Sequence, residues 1–82
     1  MNNWELVDVN DNSGVAKLPA IGIRPSLTGE GQYIMVKADG TTKVQLNIVS
    51  NSNIFPIEAD SEITNTDGSA VDGDLLYFIY WG

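Results

Sequence analysis

The sequence predicts an all-β fold, a small antiparallel sandwich or partly open barrel with a central Asp-Gly hairpin. Three observations predict it. No window places apolar residues at i, i+3, i+4 and i+7 over two turns, so no amphipathic helix is written into the chain. Short runs rich in β-branched residues recur instead, separated by Gly, Asn, Asp and Ser clusters that mark turns. The third observation is Leu75 to Trp81, read Leu-Leu-Tyr-Phe-Ile-Tyr-Trp, which is apolar on both faces of an extended chain. Such a strand is central in a sandwich or barrel, or sits at an interface, because each large side chain left in water forgoes about 1.5–3 kcal/mol.

From the N-terminus, Trp4 to Val9 alternates Trp4, Leu6 and Asp8 against Glu5, Val7 and Val9, and Asn10 to Gly14 closes this first strand with a turn cluster. Val15 to Ile23 resumes apolar character but contains Pro19 and Gly22. Proline cannot donate to a ladder, so this segment lies at an edge, carries a bulge or is interrupted. Arg24-Pro25-Ser26 breaks it. The clearest element is the hairpin Gln32 to Ala38, Asp39-Gly40, Thr41 to Val49, since Asp-Gly supplies the positive φ of a tight turn. In its second strand Val44, Leu46 and Ile48 point to the core, with Lys43, Gln45 and Asn47 in water. Its first strand is apolar on both sides, with Tyr33 and Met35 on one and Ile34 and Val36 on the other. A two-residue loop sets Met35 opposite Val44, whereas a bulged loop at Gly40 sets Ile34 there, and the sequence leaves both registers open.

Ser50 to Asn53 reads as a polar loop and Ile54 to Glu58 as a short strand interrupted by Pro56. Ile63 stands as an isolated apolar position before the turn cluster Asn65 to Ser69, and Ala70-Val71 is too short for a strand. Asp72-Gly73-Asp74 then leads into the final strand. There Leu75, Tyr77, Ile79 and Trp81 share one face and Leu76, Phe78 and Tyr80 the other.

Eighty-two residues make one domain, 1–82, which buries only about 60–65% of the surface its unfolded chain exposes. Small folds offset this thin margin with disulfides, a metal or association. The chain has no Cys and no His, so association is the favoured remedy. The first residues lack the basic and apolar regions of an export signal, and no apolar run reaches membrane-spanning length. Four basic against eleven acidic residues give a formal net charge of −7, which repels phosphate backbones and anionic membranes. Neither nucleic acid nor membrane is therefore an expected partner. The acids are scattered, as on a solubilising surface.

Without His or Cys the usual nucleophile and base pairings are missing, and no enzymatic activity is expected. Carboxylate pairs such as Glu58 with Asp60, or Asp60 with Glu62, read as loop acids in water rather than glycosidase machinery. Asp72-Gly73-Asp74 and Asp8 to Asn12 hold hard oxygen ligands near a glycine. Neither has the closing acidic residue of a calcium loop, so both read as turns and no metal or cofactor is expected. Trp4, Tyr33, Tyr77, Phe78, Tyr80 and Trp81 include the raw material of a sugar-stacking platform, which makes a small carbohydrate-binding module the main alternative function.

One spread-out pattern resembles a known group: Leu18-Pro19-Ala20-Ile21-Gly22-Ile23, then Gly29-Glu30-Gly31, Ile34-Met35-Val36, Gly40, Val44 and Leu46, and finally Asp72-Gly73-Asp74-Leu75-Leu76-Tyr77. It resembles small all-β modules of bacteriophage virion proteins, namely capsid decoration (cement) proteins and fibre-associated domains. The resemblance implies a non-enzymatic assembly protein of the virion, present in the host cytoplasm during assembly, that holds other proteins together through β-surface contacts. Its partners would be copies of itself, a trimer among the options, or a capsid or other virion protein. The interface candidates are Tyr33, Ile34, Met35, Val36, Tyr77, Phe78, Tyr80 and Trp81, from the two strands that are apolar on both faces. An acidic phage-encoded inhibitor of a host protein is a second alternative.

Overall fold

The protein's structure, a computed structural model, describes residues 4–51 and 53–81, with the side chains of Trp4 and Trp81 outside that description. Among the described residues it is all-β, with seven strands: β1 (Trp4–Asp8), β2 (Ala20–Pro25), β3 (Gly31–Val36), β4 (Lys43–Ile48), β5 (Asn53–Ile57), β6 (Glu62–Asn65) and β7 (Leu76–Trp81). They form a four-stranded sheet, β1-β7-β2-β5, packed against a three-stranded sheet, β4-β3-β6, with every pairing antiparallel. Among the described residues the two sheets do not close into a barrel.

The strand apolar on both faces does become an interior strand: β7 lies between β1 and β2. Leu76, Phe78 and Tyr80 point into the sandwich, with Ile23 of β2 opposite Phe78. From β5, Ile57 joins this layer and Phe55 packs against it. The three-stranded sheet answers with Tyr33, Met35, Leu46, Ile48 and Ile63. Alternation puts these residues inward, and burying a side chain such as Phe78 contributes on the order of 2–3 kcal/mol.

The stretch from Val15 onward is both interrupted and bulged. Val15 makes a single bridge to Glu62, the chain breaks at Pro19, and β2 begins at Ala20 with a register shift between Ala20 and Gly22 against both neighbours. A Cβ on Gly22 would collide with the Asn53 carbonyl oxygen, so the bulge needs glycine there. Of the three alternatives, the bulge and the interruption are the ones realised, and β2 lies between β7 and β5. Two expectations are corrected here. The β2 strand runs through Arg24 to Pro25 instead of breaking there, because the ladder to β7 resumes beyond the proline with Ser26 N–H donating to the Leu75 carbonyl at 2.8 Å. At β6, Ile63 is not isolated but the buried centre of a strand paired with β3. A four-residue strand with a single apolar core position has no periodicity to detect, and the pairing is supplied by tertiary contacts.

The hairpin register sets Met35 opposite Val44 and Ile34 opposite Gln45. This is the register of a two-residue loop, but the tip is wider than two residues. The last rung is Lys37 N–H to the Thr42 carbonyl at 2.8 Å, and the intervening turn is organised by Asp39. Its Oδ1 accepts the amides of Thr41 and Thr42 at 2.8 Å each, and its Oδ2 accepts the Thr42 hydroxyl at 2.5 Å. Gly40 adopts φ 76°, as the Asp-Gly pair requires.

The sandwich closes differently on its two sides. Beside β6, residues 14–16 complete the smaller sheet: Ile63 N–H donates to the Gly14 carbonyl at 2.7 Å, and Ala16 N–H to the Ser61 carbonyl at 2.9 Å. Beside β4 and β5, Asn53 ties the corner, its Nδ2 donating to the Val49 carbonyl at 2.9 Å. Farther along, the same side opens into a cleft lined by Met35, Val44, Leu46, Phe55, Pro56 and Ser61.

Phe78 is fully buried in the central strand, so Phe78→Ala is expected to lower unfolding free energy by about 3–5 kcal/mol in urea titrations. Gly29→Ala should also destabilise, by about 1–3 kcal/mol, because its Cβ would overlap the Leu75 carbonyl oxygen. Wild-type midpoints for either variant would contradict this packing.

Candidate functional site

The eight residues put forward as interface candidates separate into two sets. Tyr33, Met35, Phe78 and Tyr80 are buried in the chain's own core. Their place there corrects the expectation that they face a partner, since the inward side of each strand is already filled. Tyr33 donates its hydroxyl to the Gly29 carbonyl at 2.6 Å. The Tyr80 hydroxyl accepts the Lys17 amide at 3.1 Å, and Asn12 Nδ2 lies 3.5 Å away. Burial holds both phenols above their ordinary pKa, with the amides of Lys17 and Leu18 partly offsetting it at Tyr80. These tyrosines serve as cross-braces from strand to loop.

Ile34, Val36 and Tyr77 point outward and are half-buried. Ile34 and Val36 run down the middle of the three-stranded sheet's outer face, Ile34 between Gln45 and Thr64, and Val36 between Lys43 and Glu62. Tyr77 lies on the outer face of the four-stranded sheet between Asp8 and Arg24. Trp81 pairs with Trp4 across β7 and β1, but its side chain lies outside the described residues, so that candidate has no structural description.

Next to Tyr77 is a row that the sequence reading did not single out. Leu6, Ile79, Gly22 and Ile54 are register partners in succession across all four strands. Leu6 is 44% exposed and Ile54 64% exposed. Ile79 is buried at 3% although it stands on the face away from the core. The signal was present for Leu6, which alternates against the inward-facing Val7. For Ile54 it was masked by Pro56, which made the whole segment read as a broken strand.

The opposite chemistry collects at one end. The turns after β1 and before β7 meet, with Asn10 Nδ2 donating to the Gly73 carbonyl at 2.6 Å and Val9 N–H to the Leu76 carbonyl at 3.1 Å. Asp8 Oδ1 caps its own turn by accepting the Asn10 amide at 2.7 Å. This brings Asp74 against Asp8. Hydrogen bonding to Asp8, then the charge of Asp8, raise the Asp74 carboxyl above the ordinary carboxylate range, with Asp11 adding to the effect. At the hairpin tip the bonds from Thr42 and then Thr41 hold Asp39 well below that range. Of the loop acids, Glu58 and Asp60 are exposed and Glu62 is half-buried beside Val36. Among the described residues, no three acidic side chains are grouped so as to hold a metal ion.

These two carboxylates predict opposite pH responses. Asp74 is raised in the folded state, so its repulsion destabilises the fold at neutral pH and is relieved as pH falls through its folded pKa. Asp74→Asn should therefore raise the melting temperature at pH 7, with the gain vanishing in acid. Asp39 is depressed, so its stabilisation is present above the unfolded carboxylate pKa and is lost as pH falls below it. Asp39→Ala should lower the melting temperature at pH 7, with the difference shrinking towards strong acid. Thermal melts across pH read both signs, and an Asp74→Asn variant less stable than the parent at pH 7 would contradict the first.

Compared with protein-family models, curated proteins and solved structures, the chain finds no match, so what it does is argued from its own surfaces.

Proposed function

We propose that this chain is a non-enzymatic assembly protein, most specifically a capsid decoration or other bacteriophage virion module that works through β-surface contacts. The observation that supports the reading is the exposed pair Leu6 and Ile54 on either side of the already buried Ile79, with half-buried Tyr77 beside them, on the outer face of a sheet whose other side already supplies the core. A second apolar stripe, Ile34 and Val36, lies on the outer face of the other sheet. An 82-residue sandwich gains from covering such surface, since each buried CH₂ contributes about 0.8 kcal/mol. Two outward stripes on opposite faces suit a protein that bridges neighbours. The short Pro-Ala-Ile-Gly, Gly-Glu and Gly-Asp-x-x-Tyr segments add the resemblance that names a virion as the place of work.

The carbohydrate-binding alternative draws less support. Of the four rings it invoked whose side chains are described, Tyr33, Phe78 and Tyr80 are core residues, leaving Tyr77 alone at the surface.

Size-exclusion chromatography with light scattering, followed by co-sedimentation with purified phage capsid shells, tests the reading. An oligomer, or saturable binding to shells, is expected. A folded monomer that ignores shells but binds a glycan on an array would replace this function with the sugar-binding one.

A further inference from the structure

We propose that β1 is a self-pairing edge, through which two copies of the chain join their four-stranded sheets antiparallel about a two-fold axis at Leu6. The inference deepens the assembly reading and rests on it only in naming the partner as a second copy. It begins with hydrogen-bond alternation. Val9 N–H donates to the Leu76 carbonyl, which makes Val9 and Leu76 a bonded rung, so Val7 with Phe78 and Glu5 with Tyr80 are bonded rungs too. The backbone groups of Trp4, Leu6 and Asp8 therefore point away from β7, to the open edge. Two further bonds agree. The Asp8 carbonyl accepts the Asp11 amide of its own turn at 3.1 Å, not a group of β7, and on β7's other flank the Ser26 amide reaches the Leu75 carbonyl, so Tyr77 and Ile79 turn theirs towards β2.

A strand with outward backbone groups at Trp4, Leu6 and Asp8 is complementary to itself. With the two-fold axis at Leu6, that residue exchanges a reciprocal pair of hydrogen bonds with its symmetry mate, and the Asp8 amide reaches the Trp4 carbonyl on either side. The same register sets Glu5 opposite Val7, so no acid stands directly across from an acid, although each copy carries a net charge of −7. On the outer face it sets Leu6 against Leu6 and joins the two rows Leu6, Ile79, Ile54 into one band, covering a leucine that is 44% exposed in the single chain.

The other edges are less suited to this. The outer side of β6 is occupied by residues 14–16. β5 runs through Pro56, which has no N–H to donate to an added strand. Along β4, the outward residues are Lys43, Gln45 and Asn47, so pairing there would bury no apolar face and would meet the lysine that natural edges use as a guard. No proline, lysine, glycine or bulge blunts β1.

The absence of cysteine from the chain makes the register directly readable. Directly opposed residues of a bonded rung have Cα atoms about 5.5 Å apart, within disulfide reach. Under mild oxidation Leu6→Cys is expected to form a covalent dimer about ten times faster than Leu27→Cys, a fully exposed loop control. Glu5→Cys and Val7→Cys should cross-link faster when mixed than either does alone. Leu6→Pro removes an N–H that makes no bond within the chain, along with the leucine side chain, and should yield a monomer by light scattering with unchanged circular dichroism, and raised salt should tighten the wild-type dimer. A Leu6→Cys rate no greater than that of Leu27→Cys overturns the proposal, including where Leu6→Pro fails to fold. An oligomer that persists in Leu6→Pro while the Leu6→Cys variant stays unlinked overturns edge pairing and leaves the assembly reading standing. A wild-type chain monomeric at all concentrations overturns edge pairing, with shell co-sedimentation then deciding the assembly reading separately.

Discussion

The structure depends on β7 being paired on both sides. From Leu76 to Tyr80 its backbone groups go alternately to β1 and to β2, and its side chains alternately to the core and to the outer face. Remove it and β1 loses its strand partner, while β2 keeps only the bulged pairing with β5. The core loses Leu76, Phe78 and Tyr80 together. The aromatic character of the strand follows from this place. A sandwich with one thin core fills it most economically with rings that also carry a polar tip, and Tyr80 uses that tip to pin the loop at Lys17.

Around that strand the two sheets divide their tasks. The larger sheet is joined to the smaller by residues 14–16 on one side and by the Asn53 corner on the other, and the loops at each junction are held by side chains bonded to nearby backbone. Asp39, Asp67 and Asn65 organise their own turns in the same way. Asp8, Asp39 and Asp67 are thus structural as well as solubilising. Asp8 and Asp74 show the cost of that use, since the bond that joins their two turns also brings like charges together.

The class of fold, the central place of the last strand, the hairpin and the inward set Val44, Leu46, Ile48 were legible because each rests on a strong local signal: period-two alternation, Asp-Gly, or an apolar run too costly to expose. The hairpin register was narrowed to two choices and decided by packing, since Met35 and Val44 both face the core. The hidden parts depend on distant residues. Nothing around Ile63 announces β6, which exists because β3 offers it a ladder. The site reading failed for Tyr33, Met35, Phe78 and Tyr80 because alternation separates two faces without saying which is inward. Ile34, Val36 and Tyr77 were on the other face of the same strands, and Leu6 and Ile54 were overlooked because a single exposed aliphatic residue says little until its neighbours across the sheet are known.

The pairing of β1 with β7 also sets the order in which the fold can form. The β3–β4 hairpin joins residues close in sequence, and its turn is fixed by local bonds, those of Asp39 and the Lys37 rung to Thr42, so it closes at small entropic cost. Every ladder of the larger sheet instead joins strands separated by other elements, and Trp4 meets Trp81 only across nearly the whole chain. The hairpin is therefore the natural nucleus. The larger sheet, dominated by non-local contacts, is expected to form later, and until β7 inserts, β1 lacks its strand partner and β2 has only the bulged pairing with β5 open to it. The element that most stabilises the finished molecule is thus also the one whose delay most exposes the unfinished chain to aggregation.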